Sequence, residues 1–187
     1  YKRIIIVGPQ RSGTTFTSRA LANDLNFRNV DEIEFGVDKV DRFRNIMKQE
    51  NIVVQAPDMT CRIQAFVGKD DLVGFMKRKW SDILKGLYRK NGKLSNFIFM
   101  WTMFDYDKYR FSEYDKKAGE FFDKHVNKNS YYLDAYYNMW KHYQSKVIPN
   151  CITLEYESMK NHPMWLNKNQ RKDFTDKQTE IIITKTK

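Results

Sequence analysis

The chain has 187 residues, with 33 Lys and Arg against 23 Asp and Glu, a formal net charge of +10. That length suits a single domain, 1–187, burying about 70% of its unfolded surface, and the charge favours anionic partners through long-range steering. No apolar run reaches the roughly 18 residues of a membrane span, and no charged-then-apolar leader is present, so no span or secretion signal is expected and a cytoplasmic setting is the default. Cys61 and Cys151 lie far apart and read as reduced thiols, and His125, His142 and His162 make no metal-ligand pattern, so no metal is expected.

Ile4, Ile5, Ile6 and Val7 form a short β-branched run that suits a buried strand of a parallel sheet. Gly8-Pro9-Gln10-Arg11-Ser12-Gly13-Thr14-Thr15 follows and opens a helix in which Phe16, Ala20, Leu21 and Leu25 can share one face. Asn26 to Asp31 reads as a turn leading to an acidic cluster of Asp31, Glu32 and Glu34. Val37 to Glu50 reads as an amphipathic helix with Val40, Phe43, Ile46 and Met47 inward. Ile52 to Val54 is the next strand, closed by Pro57, with Asp58 or Thr60 as cap of a brief helix.

Leu72 to Met76 is a third strand, and Ser81 to Tyr88 a helix with Ser81 as N-cap. From about 93 to 147 the chain is crowded with aromatics at helical spacing and lacks proline before Pro149, which predicts a helical insertion. Those rings suit a core, and some suit an acceptor cleft. Strand character returns at Cys151 to Glu155; Tyr156 to Asn161 reads as a further helix, and Pro163 to Asp173 as a basic loop. Strands alternating with helices predict an α/β fold, a central parallel sheet flanked by helices in three layers, P-loop-like, with the helical insertion.

Strand, tight loop and helix start make a phosphate cradle, because unpaired amides at a helix N-terminus point at the anion and the helix dipole adds favourable charge. The spacing is that of G-x-x-x-x-G-K-[ST], with Thr14 where the triphosphate lysine belongs and a cation three positions earlier, Arg11. Without that lysine the loop suits ATP or GTP hydrolysis poorly. The same residues also suit an unliganded βα turn.

Arg11-Ser12-Gly13-Thr14-Thr15 followed by Phe16 resembles the 5′-phosphosulfate loop of the sulfotransferases that use 3′-phosphoadenosine 5′-phosphosulfate (PAPS). The stretch Arg78 to Gly86 is similar to that family's R-D-P-x-D-x-x-x-S motif: Arg78 and Asp82 match, Lys79-Trp80 replaces Asp-Pro, and Gly86 replaces the phosphate-binding Ser. Tyr156-Glu157-Ser158-Met159 resembles the late Tyr-Glu-Asp-Leu/Met motif, and Trp165 to Phe174 resembles the basic C-terminal segment.

The resemblance implies a PAPS-dependent transfer to a small-molecule, glycan or peptide acceptor, with 3′,5′-adenosine bisphosphate as product and no metal or nucleic acid. It implies that Arg11, Ser12, Gly13, Thr14 and Thr15 hold the 5′ end, and that Arg78 and Arg171, with Lys168 and Lys172 beside it, serve the 3′-phosphate. It places Phe16 and Tyr156 at the adenine, although both also suit a core. Its tyrosylprotein branch implies Glu32 as general base, 21 residues beyond Arg11, with Glu34 as alternate. His125 and His142 are the histidine candidates. Two other readings stay open: a degenerate P-loop nucleotide kinase or NTPase, against which stands the lack of an evident Asp-bearing metal strand, and a basic nucleic-acid-binding module.

Overall fold

The computed structural model describes residues 1–36, 40–60, 62–79, 81–83 and 140–165. Five strands, β1 (Arg3–Val7), β2 (Arg28–Val30), β3 (Ile52–Gln55), β4 (Asp71–Lys77) and β5 (Cys151–Glu155), form one sheet in the order β2-β3-β1-β4-β5. Every pairing is parallel. Central β1 is buried on both faces, as its unbroken aliphatic run demands, and Ile6 pairs with Gln55 on one side and Gly74 on the other. The chain therefore leaves β1 where its neighbours β3 and β4 diverge, the switch point at which open α/β sheets bind ligands.

Alternate side chains of the strands feed two cores. Ile4, Ile6, Val53 and Met76 meet Ala22 of helix α1 (Thr14–Leu25) and Tyr156 on one face. Ile5, Val7, Val54, Val73 and Phe75 meet Phe35 of α2 (Glu32–Phe35), Phe43 and Ile46 of α3 (Val40–Ile46), and Trp140 on the other. The result is the three-layer, P-loop-like α/β architecture. Trp140 stacks on Phe75 with centroids 4.5 Å apart, and its indole N–H donates to Thr153 Oγ1 at 3.3 Å.

Several elements depart from expectation. The buried residues of α1 are Thr14, Thr17, Ser18, Ala20 and Ala22, while Leu25 is 45% exposed at the helix end. Ala20 and partly buried Leu21 of the expected face pack inward, and small side chains complete the buried stripe while Leu25 is left out of it. Asn26, left-handed at φ 54°, caps the helix through its backbone N–H. The expected turn over Asn26 to Asp31 contains β2, whose polar residues are made a strand by pairing with β3.

Asp31 caps α2 in a capping box with Glu34. The helix expected over Val37 to Glu50 is Val40–Ile46 followed by turns, with 37–39 outside the described residues. Beyond β3, the 3-10 turn Pro57–Met59 has Ala56 as N-cap and Thr60 as C-cap, the Thr60 backbone N–H donating to the Pro57 carbonyl, while Asp58 lies inside the turn.

Residues 81–83 are helical, as expected, but Ser81 lies inside the helix rather than capping it, because the Lys79 carbonyl accepts from the Ile83 N–H; the rest of that predicted helix is outside the described residues. Of the predicted insertion, only 140–147 is described: a π-helical turn, Trp140–Gln144, running into α4 (Ser145–Val147). Tyr156–Asn161 is a 3-10 helix. Among the described residues no helix is long and apolar enough to cross a membrane.

Candidate anion-binding site

The loop between β1 and α1 is shaped by three positive φ angles: Gly8 at 134°, Arg11 at 68° and Gly13 at 104°. A Cβ on Gly8 would lie 2.8 Å from the Met76 carbonyl oxygen, so β4 packs directly against the start of the loop. Buried Thr60 secures that start: its hydroxyl accepts from the Gly8 N–H at 2.9 Å and donates to the Pro57 carbonyl at 2.6 Å. Ser12 N–H donates to the Pro9 carbonyl at 3.1 Å and closes the turn. A Cβ on Gly13, the N-cap of α1, would fall 2.2 Å from Tyr156 Cδ2, so glycine is required there by its neighbour as well as its φ. The first-turn amides of α1, beginning at Thr14, have no partner within the helix, and Thr14, Thr15 and Phe16 line the pocket described next.

Around this loop lies a pocket of about 260 Å³, near the lower end of small-ligand sites at about 300 Å³. Arg11, Gly13, Thr14, Thr15, Phe16, Glu32, Arg78 and Tyr156 line it, so α1, α2, the end of β4 and the start of the late 3-10 helix converge. Ser12 stands apart: it is fully buried, and its hydroxyl has no partner among the described residues. Arg171, Lys168 and Lys172 lie outside the described residues, as do His125, Lys85 and Gly86 and the side chain of His142.

Among the described residues, charge in the pocket comes from two guanidinium groups and one carboxylate. Thr14, at the lysine position of a triphosphate loop, is only 4% exposed, whereas Arg11 is exposed on the rim. Arg78 Nη1 donates to the Arg11 carbonyl at 2.9 Å, and the guanidinium carbon sits 4.0 Å from the centre of the Tyr156 ring. Glu32, in the first turn of α2, reaches the pocket wall. Its alternate, Glu34, points instead to Arg28 at 2.8 Å and to its own capping box. The capping geometry thus separates the two carboxylates, with Glu32 at the pocket and Glu34 turned away from it.

The aromatic side of the pocket is a packed cluster. Phe16 meets Trp165 edge-on at 5.2 Å and His162 at 6.1 Å, and Trp165 meets Tyr156 at 5.1 Å. Tyr156 is 8% exposed, so its ring supports Gly13 and Arg78 as well as bordering the pocket. His162 Nδ1 accepts from Met164 N–H at 3.2 Å, which leaves the proton on Nε2 for Asp24, 2.9 Å away.

Sequence reasoning missed Gln10, Gln55 and Pro57 as lining residues. Gln55 ends β3 beside β1, and the rule that ligands sit at strand C-termini could have found it. Asp58 is also new to the site region: it is 9% exposed, and Gln10 Nε2 lies 3.4 Å from its Oδ1. The strand whose end lacked an evident acidic residue is therefore followed, three residues on, by a buried one. Among the described residues, no group of three or more His, Cys, Asp or Glu could hold a metal ion.

No protein-family model matches the chain, and no curated protein matches it. Among solved structures, it is similar to the YorR protein of Bacillus subtilis in complex with phosphorylated GDP: 12% identity, TM-score 0.44, covering 97% of this chain and 95% of that one. It is also similar to shikimate kinase from Acinetobacter baumannii in complex with shikimate, at 15% identity and TM-score 0.41, covering 98% of this chain and 93% of that one.

Proposed function

We propose that the pocket holds the phosphorylated end of PAPS, and that the chain transfers its sulfuryl group to a hydroxyl or amine of a small-molecule, glycan or peptide acceptor. The observation that carries this reading is the charge pattern of the loop. The lysine position is occupied by buried, uncharged Thr14, and the loop cation is Arg11 on the rim. The amides that open α1 after Gly13, at residues lining the pocket, suit an anion's oxygens.

When bound, PAPS supplies an activated sulfuryl group whose leaving group is a phosphate. The chain must then remove a proton from the acceptor and compensate charge on the departing oxygen. Glu32 would take the acceptor's proton, and Arg11 with the first amides of α1 would hold the phosphate oxygens on which the leaving group's charge develops. Arg78 and Arg171 serve the 3′-phosphate, Arg78 by a planar fork suited to two charge-assisted hydrogen bonds. Phe16 and Tyr156 border the adenine.

A second reading, a P-loop nucleotide kinase, is favoured by buried Asp58 beyond β3, because a carboxylate near the loop could help hold magnesium on a triphosphate. It is also the direction of the neighbours' titles, one a kinase and one a complex with phosphorylated GDP. Calorimetry separates the two. PAPS chemistry predicts binding of 3′,5′-adenosine bisphosphate that chelator leaves intact; the kinase reading predicts ATP binding that requires magnesium. A chain that ignores the bisphosphate and binds magnesium–ATP ends the sulfotransferase reading.

A further inference from the structure

We propose that Arg78 is a positioning residue for Arg11, so that one guanidinium ties the 3′ side of the pocket to the shape of the phosphate loop. Arg11 is a non-glycine residue held at φ 68°, a conformation that L residues adopt only when neighbours impose it. Its carbonyl is fixed by Arg78 Nη1 at 2.9 Å, a charge-assisted bond reaching the loop from the end of β4. Arg78 is fixed in turn by the face of Tyr156, 4.0 Å from its guanidinium carbon. Tyr156 presses on Gly13 so closely that no side chain fits between them.

The contacts close on themselves: Arg11, Arg78, Tyr156 and Gly13, the last only two residues from the first. Arg78 also lines the pocket. An anion that Arg78 contacts therefore acts on the same group that sets the Arg11 peptide, and loop shape and 3′-side occupancy become linked. Lysine in place of Arg78 would keep the charge but lose both the planar fork and the ring stacking.

The link to catalysis rests on the PAPS reading, but the brace itself is testable without it. The first measurement is amide hydrogen exchange in the ligand-free chain. Arg78→Lys should speed exchange about tenfold at Ser12, whose N–H belongs to the Arg11 peptide and is bonded to the Pro9 carbonyl, while leaving β1 and β3 protected. The second is affinity for 5′-adenosine monophosphate, which carries no 3′-phosphate: Arg78→Lys should weaken it about tenfold, although a plain 3′-phosphate ligand would leave it untouched.

Unchanged loop exchange overturns the brace, and unchanged 5′-monophosphate affinity in a wild-type chain that binds it overturns the link. If the wild-type chain binds neither nucleotide, the PAPS reading falls and the exchange measurement still decides the brace. Should Arg78→Lys fail to fold, Tyr156→Leu removes the stacking surface and keeps the arginine. Faster exchange at Ser12 then supports the brace, and unaltered exchange overturns it.

Discussion

The two walls of the pocket are built on different physics. The wall from β1 to α1 is made of backbone: three positive φ angles, glycines at Gly8 and Gly13, and helix amides beginning at Thr14. The wall from β4 and the late 3-10 helix is made of side chains, with Arg78 laid on Tyr156. Backbone walls tolerate almost no substitution at their glycines and little change elsewhere. Side-chain walls can be rebuilt residue by residue.

The largest effects should fall on the charges that the two walls hold between them. On the PAPS reading, Glu32→Gln should lower turnover about 10²–10⁴-fold, the range of a lost general base. Bisphosphate affinity should stay within about twofold, since the change removes no group proposed to touch the phosphates. Arg11→Ala should lower turnover about 10²–10³-fold, as for a lost charge-stabilising donor, and weaken bisphosphate binding by less. Steady-state kinetics with labelled PAPS, paired with calorimetry, checks both. Product affinity that falls as far as turnover in Arg11→Ala would make Arg11 a plain binding group.

Next come changes to the backbone wall. Gly13→Ala combines a φ of 104° with a Cβ 2.2 Å from Tyr156, and should cost about 3 kcal/mol. At about 2–4 °C per kcal/mol for a chain of this size, thermal melting should show a drop of about 6–12 °C. Thr60→Val leaves the buried Gly8 N–H without its acceptor at a cost of about 1–3 kcal/mol, while Thr60→Ser should retain most of the stability. A Gly13→Ala chain that melts like wild type would mean that the Tyr156 wall yields easily, and the contrast between the walls would be lost.

The same contrast explains what the sequence could disclose. The strand Ile4 to Val7 and the glycine spacing of Gly8 and Gly13 are local signals, because a buried strand and a left-handed turn restrict residue type at their own positions. β2 was hidden because Arg28, Asn29 and Val30 become a strand only by pairing with β3. The role of Thr60 was hidden for a similar reason: its hydroxyl bonds Gly8, 52 positions earlier in the chain. The separation of Glu34 from Glu32 follows from a capping box that Asp31-x-x-Glu34 spells out locally, so it is legible in the sequence. Gln55 and Asp58 needed the strand order before they could be placed beside the loop.

The smallest effect tests how firmly the side-chain wall is seated, because Tyr156 follows directly on β5, the strand that Cys151 opens. Cys151 is partly buried, its thiol 3.5 Å from the Ser145 carbonyl oxygen, and burial pushes its pKa above the ordinary thiol value. A folded pKa above the unfolded one means that the folded chain keeps a proton the unfolded chain has released. The thiol's contribution to stability is therefore complete below the unfolded value, about 8.5, and fades as pH rises through the folded one. In a Cys61→Ser background, iodoacetamide should react with Cys151 along a pH profile whose midpoint lies higher in the native chain than in urea. Equal midpoints would mean that the start of β5 opens to water as readily as an unfolded segment. The platform beneath Tyr156 and Arg78 would then be loose, whereas the backbone cradle, anchored on central β1, would stay unaffected.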